Sequence, residues 1–555
     1  MRTAEENQEL ANLLFPNHNT SVEDLFERYP KRNIENGEMI LRFAPSPTGF
    51  LHIGGLFTAF VNKLVALSTG GVFLLRIEDT DKKREVTDGV SGIIKGLLEF
   101  GVEIDEGVVG FEKEKGDYGP YQQRRRKDIY QCFAKSLVAK GLAYPCFCSE
   151  EELEGLRSKQ EEHNVNKGYY GEWAKCRNLT FEQQEAEIKS GKPFVLRLRS
   201  VGDENRRIVF EDLIKGKIEM PENNMDIVLL KSDGIPTYHF AHAVDDHLMR
   251  TTHVIRSDEW IASVPIHIAL FKACGFRVPK YAHVSPIMKE EGGGKRKLSK
   301  RKDPEAAVGY FIENGFPSQS VREYLLTLIN SNYEDWRRAN PNALQSEFPF
   351  NLKKMSPSGA LFDLQKLTDV SKNVISVMTA EEVYEKSLSW AREYDNELYE
   401  NLSENSDYAK SIFSIDRGIS KPRKDIAKWS DVRGYVEYFY DGLYKPEYTL
   451  PENVTKADAA EILEEYLKVF DINDDKEIWF SKIKELCPAL GYTPNVKEYK
   501  NNPEKFKGHV GDVSTVIRAA ITSRFNTPDL YSIIRLLGEE KVRQRINEAM
   551  KSFKA

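Results

Sequence analysis

Two stretches of this chain are suited to chemistry on phosphates: a histidine framed by glycines in "PSPTGFLHIGG" (45–55), and six cations in eight residues in "KRKLSKRK" (295–302). Glycines let backbone approach a charged ligand, and a helix N-terminus behind them favours an anion. His52 stands at the entrance to such a helix, close to where a phosphate would bind. Lys297, Lys300 and Arg301 follow the Gly-rich run "EEGGGKR". Preorganised cations of this kind act most strongly where negative charge grows in a transition state. Taken singly, each stretch has a blander alternative: a capped turn with an incidental histidine, and a solvated basic run.

These groups need a frame to position them. From about residue 38 to 355 strand-like and helix-like stretches alternate. "EMILRFA" reads as a strand, and Leu56, Phe60, Leu64 and Leu67 then fall at helical spacing up to Gly70-Gly71. "VFLLRIE" (72–78), "DIVLLKS" (226–232) and "THVIRSDEW" (252–260) continue the pattern. This alternation predicts a mostly parallel sheet with helices on both faces, and in such sheets ligands sit beyond the carboxyl ends of the strands. Past about 360 the character changes. Thr379 and Glu382 make a capping box ahead of Val383, Ser387, Trp390 and Tyr394, and Thr527-Pro528 opens a helix carrying Leu530, Ile533, Ile534 and Leu537, closed by Gly538. An α/β half is followed by an all-helical half.

At 555 residues the chain exceeds one core and predicts several domains. Hydrophobic residues at 40% and charged residues at 30% fit a globular protein, and no apolar run approaches the roughly 18–20 residues that span a bilayer. The start, "MRTAEENQELANLL", lacks the basic region and apolar core of a targeting segment. Six cysteines in this length make no disulfide framework, so a reducing, cytoplasmic setting is expected. The net charge of −7 does not advertise nucleic-acid binding, but basic clusters at 124–127 and 421–424, with that at 295–302, show how uneven its distribution is.

"PSPTGFLHIGG" and "KLSKR" occur in the order of the HIGH and KMSKS signatures, and together they resemble those of class I aminoacyl-tRNA synthetases. Gly55 stands at the fourth position of the first motif and Leu298 at the second position of the other. "RFAPSPTG", "LLRIEDTD" (74–81), "GIPTYHFAHAVDDHLM" (234–249) and "THVIRSDEW" are similar to glutamyl-tRNA synthetases of the bacterial type, and "VIRAAITSRFNTPDLYSIIRLLGEEKVRQRI" (516–546) looks like their helical anticodon-binding domain. The likeness runs from about residue 38 to the end and is weakest between 395 and 510. It implies a Rossmann-like catalytic domain in two halves (38–140 and 226–355), an inserted acceptor-binding subdomain (141–225) and a helical anticodon-binding domain (356–555). Residues 1–37 form an extension, read as a helix and linker packed on the catalytic domain.

The resemblance implies ligation of L-glutamate to tRNA(Glu) through a glutamyl adenylate, with ATP as substrate, Mg²⁺ beside it, and bound transfer RNA required for activation. His52 and Lys300 are the catalytic pair. Pro45, His52, Gly54, Gly55, Glu259, Lys297, Ser299, Lys300 and Arg301 lie on the ATP side. Glutamate brings two carboxylates and an ammonium, so its pocket needs two cations and an anion, and arginine meets a carboxylate with two parallel hydrogen bonds. By resemblance Arg42 with Tyr238 takes the side-chain carboxylate, Arg256 the α-carboxylate and Glu78 the ammonium. Ser46 and His242 are further neighbours of the substrate.

Cys146, Cys148 and Cys176 fall in an insertion that holds zinc in some relatives. Zinc wants four ligands, and where a relative has histidine this chain has Asn178; Tyr170 is the substitute considered, with His163 nearby. The alternative is three reduced thiols without metal. Other functional readings are a glutaminyl-tRNA synthetase, a short relative that glutamylates a tRNA base, and a non-catalytic RNA-binding descendant. The acidic "RIEDTD" and the helical tail oppose the first, the long tail the second, and the intact His52, Lys300, Arg42 and Arg256 the third. Whether tRNA(Gln) is charged as well depends on the helical domain, where Arg423 in "SKPRKDIAKW" is the residue to watch. Neither a membrane nor a second copy of the chain is expected as a partner.

Overall fold

A computed structural model describes residues 2–81, 86–110, 112–299 and 301–554. The chain divides into two compact units, Met1–Tyr310 with Arg322–Asp363, and Phe311–Val321 with Leu364–Ala555.

In the first unit, β1 (Ile40–Phe43), β2 (Val72–Leu75) and β3 (Glu106–Gly110) run parallel, with β4 (Lys113–Lys115) antiparallel at the edge. β5 (Ala143–Cys146), β6 (Val195–Leu198) and β9 (Val228–Leu230) form a separate antiparallel sheet. The hairpin of β7 (Arg207–Asp212) and β8 (Gly216–Pro221) joins another sheet, in the order β10-β11-β7-β8, with β10 (His253–Ser257) and β11 (Lys280–Val284) parallel. β10 lies beside β1, tied by the Thr252 N–H to the Ile40 carbonyl at 3.0 Å. The parallel strands therefore run β3-β2-β1-β10-β11, and the order turns between β1 and β10, where open α/β sheets bind ligands. All four residues of β1 are buried, as expected of a strand covered on both faces.

The insertion differs from its expected outline in two ways. Its sheet is closed by β9, past residue 225, and the β7–β8 hairpin pairs with β11 at Asp212–Tyr281, so part of the insertion builds the sheet that carries the site.

The N-terminal extension holds two helices, α1 (Ala4–Leu14) and α2 (Val22–Arg28), each opened by a capping box, Thr3 with Glu6 and Ser21 with Asp24. Next in the chain come α3 (Ile53–Thr69), α4 (Gly89–Glu99), α5 (Lys127–Ala139), α6 (Glu150–Glu162), α7 (Phe181–Lys189), α8 (Tyr238–Leu248) and α9 (Val264–Cys274). α1 packs on both α5 and α7, and α2 on α5. The segment after α2 is pinned by Arg32, which donates to both oxygens of Glu106 at 2.6 and 2.7 Å.

The second unit is helical around one large apolar core, apart from a short strand pair, Tyr492–Thr493 with Gly508–His509. The Thr379–Glu382 capping box is present. The helix expected to open at Thr527-Pro528 instead begins at Leu530, because the Asp529 carboxylate caps the Ser532 N–H and sets the start two residues later.

All six cysteines are free thiols. Among the described residues no helix is long and apolar enough to cross a membrane.

Candidate active site

A cleft of about 430 Å³ opens at the carboxyl ends of β1, β2, β10 and β11. Arg42, Ser46, His52, Gly54, Gly55, Glu78, Tyr238, Arg256, Glu259 and Lys297 all line it. These residues come from six separate segments, and only the turn of the parallel sheet brings them together.

His52 caps α3: its Nδ1 accepts the Gly54 N–H at 2.9 Å, so the neutral ring carries its proton on Nε2. Seventeen residues of helix stand behind it and direct their positive end at the cleft. A Cβ on Gly55 would lie 3.1 Å from Leu51 Cδ1 and 3.6 Å from Phe43, so a larger residue here would require the Leu51 side chain to shift.

Beneath the cleft lies a buried cluster of three guanidiniums and three carboxylates. Asp246 accepts from Arg42 Nε (3.1 and 3.2 Å) and from Arg76 Nη1 (2.7 Å). Asp245 accepts from Arg126 Nε (2.7 Å) and the Tyr130 hydroxyl (2.9 Å), and Arg76 Nη2 lies 3.5 Å from Glu78. All six charged groups are buried. Burial pushes the Glu78 carboxyl up to about 7, against the pull of Arg76 and Arg42. Burial also opposes ionisation of Asp246, but Arg42 and Arg76 outweigh it and hold its carboxyl well below the ordinary range. Among the described residues Arg42 is gripped through Nε, which leaves its Nη groups for a ligand.

Arg256 is held on every side. Its Nε donates to His283 Nε2 (3.1 Å), Nη1 to the Tyr238 hydroxyl (3.3 Å), and Nη2 to His267 Nδ1 (3.1 Å) and the Trp260 carbonyl (3.3 Å). Tyr238, expected beside Arg42 and lining the cleft with it, accepts at its hydroxyl from Arg256 and packs against the Trp260 ring at 4.1 Å between centroids.

Several expected residues do not line the cleft. Pro45 contributes a backbone carbonyl that accepts the Glu78 N–H at 3.0 Å. His242, named as a neighbour of the substrate, is fully buried behind Tyr238, with its Nδ1 2.8 Å from Asp246, and burial pushes its pKa down to about 3. Ser299 donates its N–H to Asp303, turning the basic loop back on itself, and Arg301 is exposed. Lys300 lies outside the described residues. Lys297 pairs with Glu259 at the cleft rim, both about half exposed.

Sequence reasoning missed Trp260, the Arg76–Asp245–Asp246 cluster and the histidines 239, 267 and 283. A signal for the cluster existed: Asp245 and Asp246 adjoin inside the apolar-looking "HFAHAVDDHLM", and a helix that buries two acids needs cations around them.

In the insertion the Sγ atoms of Cys146, Cys148 and Cys176 lie within 4.8 Å of one another, Cys148 and Cys176 at 3.6 Å. Sulfurs about 2.3 Å from a tetrahedral zinc sit about 3.8 Å apart, so the donor set fits that ion. Tyr170 is not the fourth partner: it is turned away, donating to the Asn166 carbonyl at 2.6 Å. The neighbour Tyr169 places its oxygen 3.3 Å from Cys148 Sγ.

Residues 38–369 match the family model described as tRNA synthetases class I (E and Q), catalytic domain, and residues 497–550 match an anticodon binding domain. The chain is 51% identical over 543 residues to the glutamate–tRNA ligase of Clostridium perfringens (strain 13 / Type A), covering 97% of this chain and all of that protein. It is 35% identical over 513 residues to the glutamate–tRNA ligase of Alkaliphilus metalliredigens (strain QYMF), covering 91% and 97% respectively. A crystal structure of a glutamate tRNA ligase from Elizabethkingia meningosepticum in complex with its amino acid superposes with a TM-score of 0.73 at 27% identity, covering 93% of this chain and 100% of that one.

Proposed function

The chain belongs to the class I glutamate–tRNA ligases, and from that membership we propose that its cleft activates L-glutamate with ATP and passes the glutamyl group to the terminal ribose of tRNA(Glu). The observation that carries this reading is the meeting, in one cleft, of two arginines, one buried carboxyl and a capped helix N-terminus.

Glutamate fits this set group by group. The two Nη groups of Arg42 meet the side-chain carboxylate, while Asp246 fixes the guanidinium plane through Nε. Arg256 meets the α-carboxylate with its remaining Nη1 hydrogen, the others being committed to protein acceptors. Glu78 takes the ammonium, whose arrival favours the charged carboxylate over the neutral form that burial promotes. ATP then lies toward His52 and the start of α3, with Lys297 at the cleft rim reaching its phosphates.

Attack of the α-carboxylate on the α-phosphate requires alignment and charge stabilisation more than covalent help from the protein. His52 donates from Nε2 to the phosphate oxygens, and the loop cations stabilise the charge that grows on pyrophosphate. Loss of one such donor costs on the order of 10²–10³ in rate. The carboxylates lining the cleft are Glu78 and Glu259, so Mg²⁺ would enter with the phosphates rather than in a protein cage. Bound transfer RNA completes the site before activation. In the insertion, Cys146, Cys148, Cys176 and Tyr169 would hold a structural zinc that ties the turn after β5 to the loop at 169–176.

The test is ATP- and tRNA-dependent incorporation of glutamate, with Arg42→Gln as the probe of the assignment. Loss of a charge-assisted contact worth about 1.5–3 kcal/mol raises KM for glutamate roughly 10- to 100-fold, with the KM for ATP unmoved. An unchanged KM for glutamate would remove Arg42 from the pocket.

A further inference from the structure

Arg256 owes its orientation to two imidazole lone pairs, and one of them is controlled from the insertion. Asp212 ends β7 and is buried, as are His283 on β11 and Arg256 on β10. Its Oδ1 accepts the backbone N–H groups of Ile214 (3.0 Å), Lys215 (2.8 Å) and His283 (3.3 Å). Its Oδ2 lies 2.6 Å from His283 Nδ1. Facing a carboxylate, Nδ1 must carry the proton, and the hydrogen-bond network then leaves the Nε2 lone pair to accept from Arg256 Nε at 3.1 Å. The other tautomer would set N–H against N–H. His267 does the same on the opposite edge: Nδ1 accepts from Arg256 Nη2, so its proton sits on Nε2, 3.0 Å from His239 Nδ1.

We propose that Asp212 is a positioning residue for glutamate recognition: it fixes the tautomer of His283 and, through it, the plane of Arg256. This rests on the reading that Arg256 binds the α-carboxylate. Burial lowers the pKa of both His283 and His267, which keeps both rings neutral and able to accept. The carboxylate of Asp212 therefore reaches the substrate site through the imidazole, much as a carboxylate orients a catalytic or metal-bound histidine elsewhere.

The arrangement makes Asp212→Asn diagnostic. The asparagine carbonyl must stay on the three backbone N–H groups, since an NH₂ group there would face three donors. The NH₂ group then faces His283 Nδ1 and donates to it, which puts the ring proton on Nε2 against Arg256. The turn is preserved while the tautomer is reversed. The expected result is a rise in KM for glutamate of roughly 10- to 100-fold, with KM for ATP and the melting temperature little changed.

Two His283 variants separate positioning from simple support of the β7–β11 pairing. His283→Gln keeps an acceptor near Nε2 for Arg256 and gives up the donor to Asp212. His283→Asn keeps the donor near Nδ1 and gives up the acceptor. Positioning predicts that Asn raises KM for glutamate far more than Gln does, and a merely structural histidine predicts the reverse order. Arg256→Gln is the reference. If it leaves KM for glutamate unchanged, the α-carboxylate assignment fails. If it raises KM while Asp212→Asn does not, the assignment stands and the relay is overturned. Should Asp212→Asn not fold, the order of the two His283 variants decides alone.

Discussion

Substituting Asp246 by Asn changes little in shape but leaves Arg42, Arg76 and Arg126 facing only Glu78 and Asp245 below the cleft. Removing one partner from a buried charge cluster costs about 3–5 kcal/mol, because the remaining charge stays desolvated. For a unit of roughly 350 residues, an unfolding entropy of about 2.1 cal/mol/K per residue converts this to a melting-temperature loss of about 4–7 °C. The deficit also depends on pH. Asp246 is one of the groups that raise the Glu78 carboxyl, so the variant's Glu78 ionises more readily. In the parent protein, ionising Glu78 between its unfolded value near 4.5 and its folded value of about 7 costs stability as pH rises. The variant loses less over that window. Its deficit therefore shrinks from pH 5 to pH 8 by about 1.4 kcal/mol for each unit by which Glu78 falls. Scanning calorimetry at the two pH values, with fluorescence as a second probe, measures both quantities. A loss below about 1 °C at both pH values, or a deficit that grows toward pH 8, would refute the reasoning that these six groups are electrostatically interdependent.

The same carboxyl predicts that KM for glutamate rises as pH falls from 8 to 6, since protonated Glu78 cannot pair with an ammonium; Glu78→Gln should give a high KM with a flattened profile. Lys297→Ala breaks an exposed ion pair with Glu259, so stability should move by less than about 0.5 kcal/mol while kcat falls on the order of 10²-fold; a melting shift with unchanged turnover would reverse that assignment. In the insertion, purified protein should contain stoichiometric zinc by elemental analysis. Cys176→Ser should lose it and Tyr169→Phe weaken it, whereas Tyr170→Phe should retain it.

The parallel-sheet half and the helical half were legible because buried strands such as "MILRF" and "VFLL" and capping signals such as Thr379–Glu382 are local in sequence. The residues of the cleft were named through the resemblance of short motifs to a known family, which pointed to Arg42, His52, Glu78, Tyr238, Arg256, Glu259 and Lys297; all of these line one cleft. What escaped depends on long-range placement. Nothing near His283 in the chain says that Asp212 lies beside it, because a parallel pairing between an inserted hairpin and β11 brings them together. Tyr169 and Tyr170 point to opposite sides of an extended stretch, and only its path decides which of them faces the thiols. His242 follows the motif but falls one helical turn from Asp246, on the buried face of α8. Arg423, the residue watched for anticodon reading, is gripped by Asp425 at 2.6 and 3.0 Å and by Asn526 at 2.9 Å.

The most direct test is to supply the purified protein with ATP, Mg²⁺, radiolabelled glutamate and a tRNA(Glu) transcript, with a tRNA(Gln) transcript in parallel. Acid-stable label on the tRNA(Glu) transcript, dependent on ATP and lost with His52→Ala, is the result expected here. Label on the second transcript as well would identify an enzyme that charges both. No label on either, from protein that melts cooperatively, would contradict the proposal that this cleft joins glutamate to transfer RNA.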